Sequence, residues 1–131
     1  MPTLFTKIIN RELPAYIVAE DENFLAFLDI FPLAKGHTLV IPKREVDYLF
    51  DIDDDVLGKM MAFSKSVAKA LEQSVTCRRI GVAVVGLEVP HAHIHLIPLQ
   101  SVEDINFSRP KLKLSEEEMK ALTEKIKGNL K

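Results

Sequence analysis

The sequence is poor in cysteine: Cys77 stands alone. One thiol excludes an intrachain disulfide framework and a cysteine-rich zinc ribbon. It also suits a reducing compartment, so a cytoplasmic location is expected. An excess of charge of one sign is missing as well, since 17 basic residues stand against 19 acidic ones for a net charge of −2. Proteins that hold nucleic acid by neutralising phosphates are usually basic, so nucleic acid is not an expected partner. Long apolar runs are absent too. Stretches such as Val82 to Val85 fall far short of the ~20 residues that a membrane span needs, which removes the membrane as an expected partner. The opening Met1-Pro2-Thr3-Leu4-Phe5-Thr6-Lys7 has no basic flank followed by a long apolar run, so no signal peptide is expected.

What is present is 131 residues with 47% hydrophobic and 27% charged content. That predicts one globular domain over residues 1–131. Such a chain buries roughly two thirds of its unfolded surface and needs no disulfide staples. Leu4, Phe5, Ile8 and Ile9 recur at helical spacing until Pro14 stops the pattern. Ile17 to Ala19 and Phe24 to Leu28 are strand candidates around the turn-like Glu20-Asp21-Glu22-Asn23. Thr38 to Ile41 is a further strand, ended by Pro42 because proline donates nothing to a ladder. From about Asp53 to Ser74, Val56, Met60, Phe63, Val67 and Leu71 form one apolar helical stripe. Arg79 to Val85 and His91 to Leu99 are expected strands, and Ser115-Glu116-Glu117-Glu118 fits the capping box of a last helix. Short connections between neighbouring strands favour antiparallel pairing. An α+β fold is therefore expected, with a long central helix packed on an antiparallel sheet.

Asp51, Asp53 and Asp55 occupy the first ligand positions of a calcium loop, but Val56 stands where glycine is needed and Ala62 where glutamate is needed. A solvated helix start accounts for them better, because carboxylates favour the positive end of the helix dipole.

Three of the four histidines fall in His91-Ala92-His93-Ile94-His95. Read as a strand, this puts His91, His93 and His95 on one face and turns Ala92, Ile94 and Leu96 into the core. Such a cluster has three readings. It can be a polar sheet face, a zinc site of three histidines with one open position, or a nucleophilic site in which one neutral imidazole attacks and its neighbours orient it.

The segment Gly86-Leu87-Glu88-Val89-Pro90-His91-Ala92-His93-Ile94-His95-Leu96-Ile97-Pro98 resembles the signature of the histidine triad (HIT) family. Residues Leu4 to Ala15, Ala26 to Pro32 and Gly36 to Lys43 resemble further segments of that family, in the right order. The resemblance covers residues 3–100 and is strongest to the short, Hint-like branch of nucleoside phosphoramidate hydrolases. Residues 101–131 diverge from it. It implies an antiparallel HIT-like sheet, a purine nucleoside monophosphate site, a homodimer, and catalysis with no metal and no cofactor. His93 is then the nucleophile and His91, His95 and His37 its supporting catalytic residues. Asp29 accepts hydrogen bonds from the ribose, Phe5, Ile8, Leu13, Phe27, Leu28 and Ile30 line the base pocket, and Gly86 and Glu88 lie at the phosphate.

The sequence departs from the family where phosphate or leaving group is contacted. An asparagine is expected eleven residues before the first triad histidine, where Ile80 stands; Leu87 replaces a glutamine and Glu88 a serine or threonine. Alternatives to the phosphoramidate hydrolase are a dinucleoside polyphosphate hydrolase, a triad-based metallohydrolase and a nucleotide-binding protein without turnover.

Overall fold

Asp21 turns the chain back on itself early. Its Oδ1 accepts from the N–H groups of Asn23 and Phe24, both at 2.8 Å, which closes the first hairpin by the local bonding that favours aspartate in turns. The computed structural model describes residues 2–131. Its strands are β1 (Ile17–Glu20), β2 (Phe24–Leu28), β3 (Thr38–Pro42), β4 (Arg79–Ala83) and β5 (Ile94–Leu99). They form one sheet in the order β1-β2-β3-β5-β4, and every neighbouring pair is antiparallel. Three α-helices complete the fold among the described residues: α1 (Leu4–Ile9), α2 (Asp54–Ser74) and α3 (Glu116–Gly128).

The two sheet faces are covered differently. Phe24, Ala26 and Leu28 of β2 and Ile94 and Leu96 of β5 pack against Met60, Val67 and Leu71 of α2 and Met119, Leu122 and Ile126 of α3. Leu25 and Phe27, at the alternate positions of β2, turn to the other face with Leu39 and Ile41, where Phe5 and Ile8 of α1 cover them. The period-two alternation of a strand thus feeds two separate clusters. Each fully buried large side chain contributes ~1.5–3 kcal/mol. The long helix packs on the sheet as expected. Its stripe needs one correction, because Val56 is 36% exposed. Leu57, three residues before Met60 on the same face, packs there instead, while Leu49 and Ile52 fill the core below.

The capping box of α3 is present: Glu118 N–H donates to Ser115 Oγ, and Ser115 N–H donates to Glu118 Oε1, both at 3.1 Å. Two strand boundaries differ from the sequence reading. β5 starts at Ile94 rather than His91, because the Ala92 N–H donates to the Val46 carbonyl at 2.6 Å and the His91 N–H to the Val89 carbonyl. β4 therefore ends at Ala83, which pairs with His95; Val84 and Val85 face no strand. No helix among the described residues is long and apolar enough to cross a membrane.

Candidate active site

Four histidines converge beside the α1 face of the sheet, and all four are buried. His95 comes from β5, next to β3, while His91 and His93 sit on the loop that enters β5. Ala92, Ile94 and Leu96 between them point into the helix-side core, so the alternation expected from the sequence holds even where the strand does not. His37 comes from the β2–β3 loop. Gly36 before it has φ +98°, and a Cβ there would meet Pro98 Cγ at 3.2 Å, so only glycine fits the turn. Asp29 N–H donates to the His37 carbonyl at 2.9 Å and closes the loop.

Hydrogen bonds assign the tautomers. His93 Nδ1 lies 2.7 Å from the His91 carbonyl, which can only accept, so Nδ1 carries the proton and Nε2 a lone pair. His91 Nε2 lies 2.8 Å from the Pro42 carbonyl and carries its proton by the same logic. His91 Nδ1 then accepts from the Thr3 hydroxyl at 2.8 Å. The Leu33 N–H donates to His37 Nδ1 at 3.0 Å. His37 therefore donates from Nε2 to His95 Nδ1, 2.9 Å away. The proton of a neutral His95 is left on Nε2. Among the described residues, only His93 Nε2 and His95 Nε2 lack a partner among the ring nitrogens. No buried side-chain nitrogen or oxygen of the described residues is unpartnered, so both reach solvent. A lone pair and an N–H donor thus sit side by side on rings whose centroids are 5.0 Å apart.

The electrostatics favour the neutral form of the supporting rings. Burial, then the charges of His95 and Lys111, push His37 down to about 3. Burial, then the charge of His93, pushes His95 down to about 4. Burial also holds His91 below its ordinary value against the opposing pull of the Pro42 carbonyl. Asp29 is raised by burial, although its Oδ1 accepts from the Phe31 N–H at 2.9 Å.

Asp29, His37 and His95 each offer a ligand atom, all within 4.8 Å of one another, which is a spacing that a metal ion can bridge. The protons do not fit such an ion. The Leu33 N–H occupies His37 Nδ1, which leaves the proton on Nε2, the atom that faces His95 and Asp29. A neutral imidazole cannot ligate through its protonated nitrogen.

The apolar residues divide. Phe5, Ile8 and Phe27 lie together in the α1-side cluster, with Leu13 against it. Phe5 meets His93 edge-on at 5.1 Å. Leu28 does not join them. It is one residue on from Phe27 in β2 and faces the opposite core. Ile30 is 58% exposed on the loop after β2. Gly86 has φ +72° with open space around it, and Glu88 is exposed but close enough to Asp29 to raise its carboxyl. Ile80 packs against the helix-side core. The residue that β4 brings beside His95 is Ala83, so the count of eleven lands on the wrong face. A hollow of about 370 Å³ at the other end of this hairpin is lined by Arg78, Arg79, Leu99 and Gln100.

Three contributors went unseen in the sequence. Thr3 caps α1 and reaches His91 across 88 residues. Leu33 acts through its backbone N–H. Phe107 meets His95 edge-on at 4.8 Å and His37 at 6.3 Å. A Thr ahead of an apolar helical run signals a cap; nothing local signals the other two.

A model of the HIT domain matches residues 10–102. The chain belongs to the HIT family. A HIT-like protein of Borreliella burgdorferi is 39% identical over 97% of each chain. An adenosine 5'-monophosphoramidase of Schizosaccharomyces pombe is 33% identical over the full length of both. Among solved structures, a Hit-like protein of Bartonella henselae superposes with a TM-score of 0.83 at 31% identity, over 98% of this chain and 96% of that one. The HIT match spans the triad, His37 and Asp29, whereas Thr3, Phe5 and Phe107 lie outside it.

Proposed function

We propose that this HIT protein hydrolyses or transfers purine nucleotides through a nucleotidyl-His93 intermediate, with nucleoside phosphoramidates as its substrates. The carrying observation is the His93 ring: its Nδ1–H is committed to the His91 carbonyl at 2.7 Å, which leaves Nε2 as an open lone pair. That lone pair attacks phosphorus, and the P–N bond breaks with its electron pair on the departing amine, which takes up a proton from solvent. Water then attacks phosphorus and gives up a proton to solvent, and the P–Nε2 pair returns to His93. A covalent intermediate divides one hard displacement into two easier ones. The His95 Nε2–H donates to a phosphoryl oxygen, where a preorganised donor is most effective. The adenosine 5'-monophosphoramidase similarity supports this choice of leaving group.

Phe5, Ile8, Leu13 and Phe27 form the base pocket in this reading, with Ile30 at its rim, and Asp29 reads the ribose with Oδ2. Gly86 and Glu88 border the phosphate. Residues 1–131 act as one domain, because Phe107 of the divergent C-terminal segment closes over His95. A second copy pairs at β4, an edge strand near which Val82, Val84 and Val85 are each 44–51% exposed. Unpaired strand edges are ready templates for another chain. The lone Cys77 fits a reducing cytoplasm.

Intact-protein mass spectrometry after brief mixing with an adenosine phosphoramidate tests the reading. An adenylyl adduct mapped to His93 is expected; an adduct on any other side chain overturns it. Asp29→Ala should weaken ribonucleotide binding by about 1.5–3 kcal/mol, with little effect on analogues that lack ribose hydroxyls. Equal weakening of both in a binding titration removes Asp29 from the ribose.

A further inference from the structure

The first triad histidine is tied to the start of the chain by a small closed network. Glu45, just after β3, accepts at one oxygen, Oε1, from the Thr3 N–H at 2.8 Å and from the Thr6 hydroxyl at 2.7 Å. Thr3 Oγ1 accepts from the Thr6 N–H at 3.0 Å and so caps α1. The Thr6 hydroxyl has one proton, and Glu45 takes it. The Thr3 hydroxyl also has one proton, and two acceptors face it: Thr6 Oγ1 at 3.2 Å and His91 Nδ1 at 2.8 Å. The shorter contact, to a nitrogen that must accept because Nε2 donates to Pro42, receives it.

Two lines run from this network to His93. The His91 carbonyl accepts the His93 Nδ1–H, so whatever fixes His91 aims the His93 lone pair. Phe5, two residues after Thr3, stands edge-on to both His91 and His93, at 5.7 and 5.1 Å.

We propose that Thr3, Thr6 and Glu45 are positioning residues for His93: Glu45 clamps the start of α1, and the Thr3 hydroxyl locks the His91 ring that holds the nucleophile. This rests on His93 being the nucleophile. None of the three touches the reacting atoms. Their effect belongs in the chemical step, because a misaimed nucleophile costs rate far more than ground-state affinity.

Capping and donation can be separated at Thr3. Serine keeps both. Aspartate still caps a helix start but is acceptor-only when ionised, and it faces His91 Nδ1 with no proton to give. Thr3→Ser is therefore expected to turn over an adenosine phosphoramidate within about twofold of the parent. Thr3→Asp should lose at least about tenfold in kcat, with KM moved less than about threefold. In ring-nitrogen NMR, His91 Nδ1 should change from unprotonated to protonated in Thr3→Asp, and the His93 Nδ1–H signal should shift or exchange faster. A thermal melt accompanies each variant, so that loss of fold is told from loss of aim. A Thr3→Asp protein with the parent's kcat and unchanged His91 and His93 ring signals overturns the proposal. Should the parent itself neither form an adduct nor turn over, the nucleotide reading falls. The positioning network is then decided by the ring signals alone: altered in Thr3→Asp they sustain it, unaltered they end it.

Discussion

The two halves of the histidine cluster are held in opposite ways. His91 and His93 are fixed through backbone carbonyls, those of Pro42 and His91. His37 and His95 are fixed side chain to side chain, and the direction of that bond comes from one backbone N–H, that of Leu33. A carbonyl can only accept, so in the first pair the ring nitrogen that faces it must carry a proton. The second pair keeps its tautomers only while Leu33 stays in place and both rings stay neutral. In the proposed mechanism the attacking atom thus sits in the half whose ring protons face carbonyls, and the donor to phosphate in the half that can flip.

Removing His93 breaks this comparison hardest. His93→Asn is expected to abolish the adduct and lower kcat by at least about 10³-fold, as removal of a nucleophile does elsewhere. Nucleotide affinity, measured by titration, should stay within a few-fold, since Asp29 and the α1-side cluster are untouched. Residual turnover above one per cent of the parent is incompatible with a single nucleophile.

His37→Phe acts on the other half. The substitution keeps an aromatic ring but removes the donor to His95 Nδ1, and leaves a buried nitrogen unpartnered at a cost of about 1–3 kcal/mol in stability. His95 can then move its proton to Nδ1, so its Nε2 offers phosphate a lone pair in place of an N–H. A fall in kcat of up to about 10²-fold is expected, the low end of what one lost charge-stabilising donor costs. The adduct should still map to His93. A kcat equal to the parent's shows that the proton on His95 has no part in the reaction.

Much of the scaffold was legible because its signals are local and periodic. The α3 capping box needs four consecutive residues, and the Ala92, Ile94, Leu96 alternation needs five. Elsewhere a long-range bond, the alternation of the strand or the register of the sheet decides the outcome. His91 and His93 alternate like strand residues, yet Val46 takes the Ala92 N–H that a ladder would need. Leu28 looks like a neighbour of Phe27, but period-two geometry sends it to the other core. Counting eleven residues back reached Ile80, whereas register pairs His95 with Ala83. The histidines themselves were plain in the sequence. Which nitrogen carries each proton was not, because the Pro42 carbonyl that decides His91 lies 49 residues away and the His37 ring that decides His95 lies 58 residues away.

The smallest expected effect tests what keeps the second pair neutral. His37 and His95 sit at about 3 and about 4, against roughly 6.5 for an exposed histidine. Both rings should therefore show no titration in carbon- or nitrogen-detected NMR from pH 8 down to pH 5. The unfolded chain takes up protons on these residues below about pH 6.5 while the folded protein does not, so stability rises with pH across that window. Their contribution is whole above about pH 6.5 and is lost as the pH falls toward 4 and then 3. Phe107 is half-buried and covers both rings. Phe107→Ala lets water reach them, so both values should move up toward the ordinary one and the acid loss of stability should become shallower. At neutral pH the variant should lose about 1–2 kcal/mol from the partly buried ring, read as a lower thermal midpoint. If the rings of Phe107→Ala still show no titration down to pH 5, the sheet and the β2–β3 loop keep them dry without the C-terminal segment.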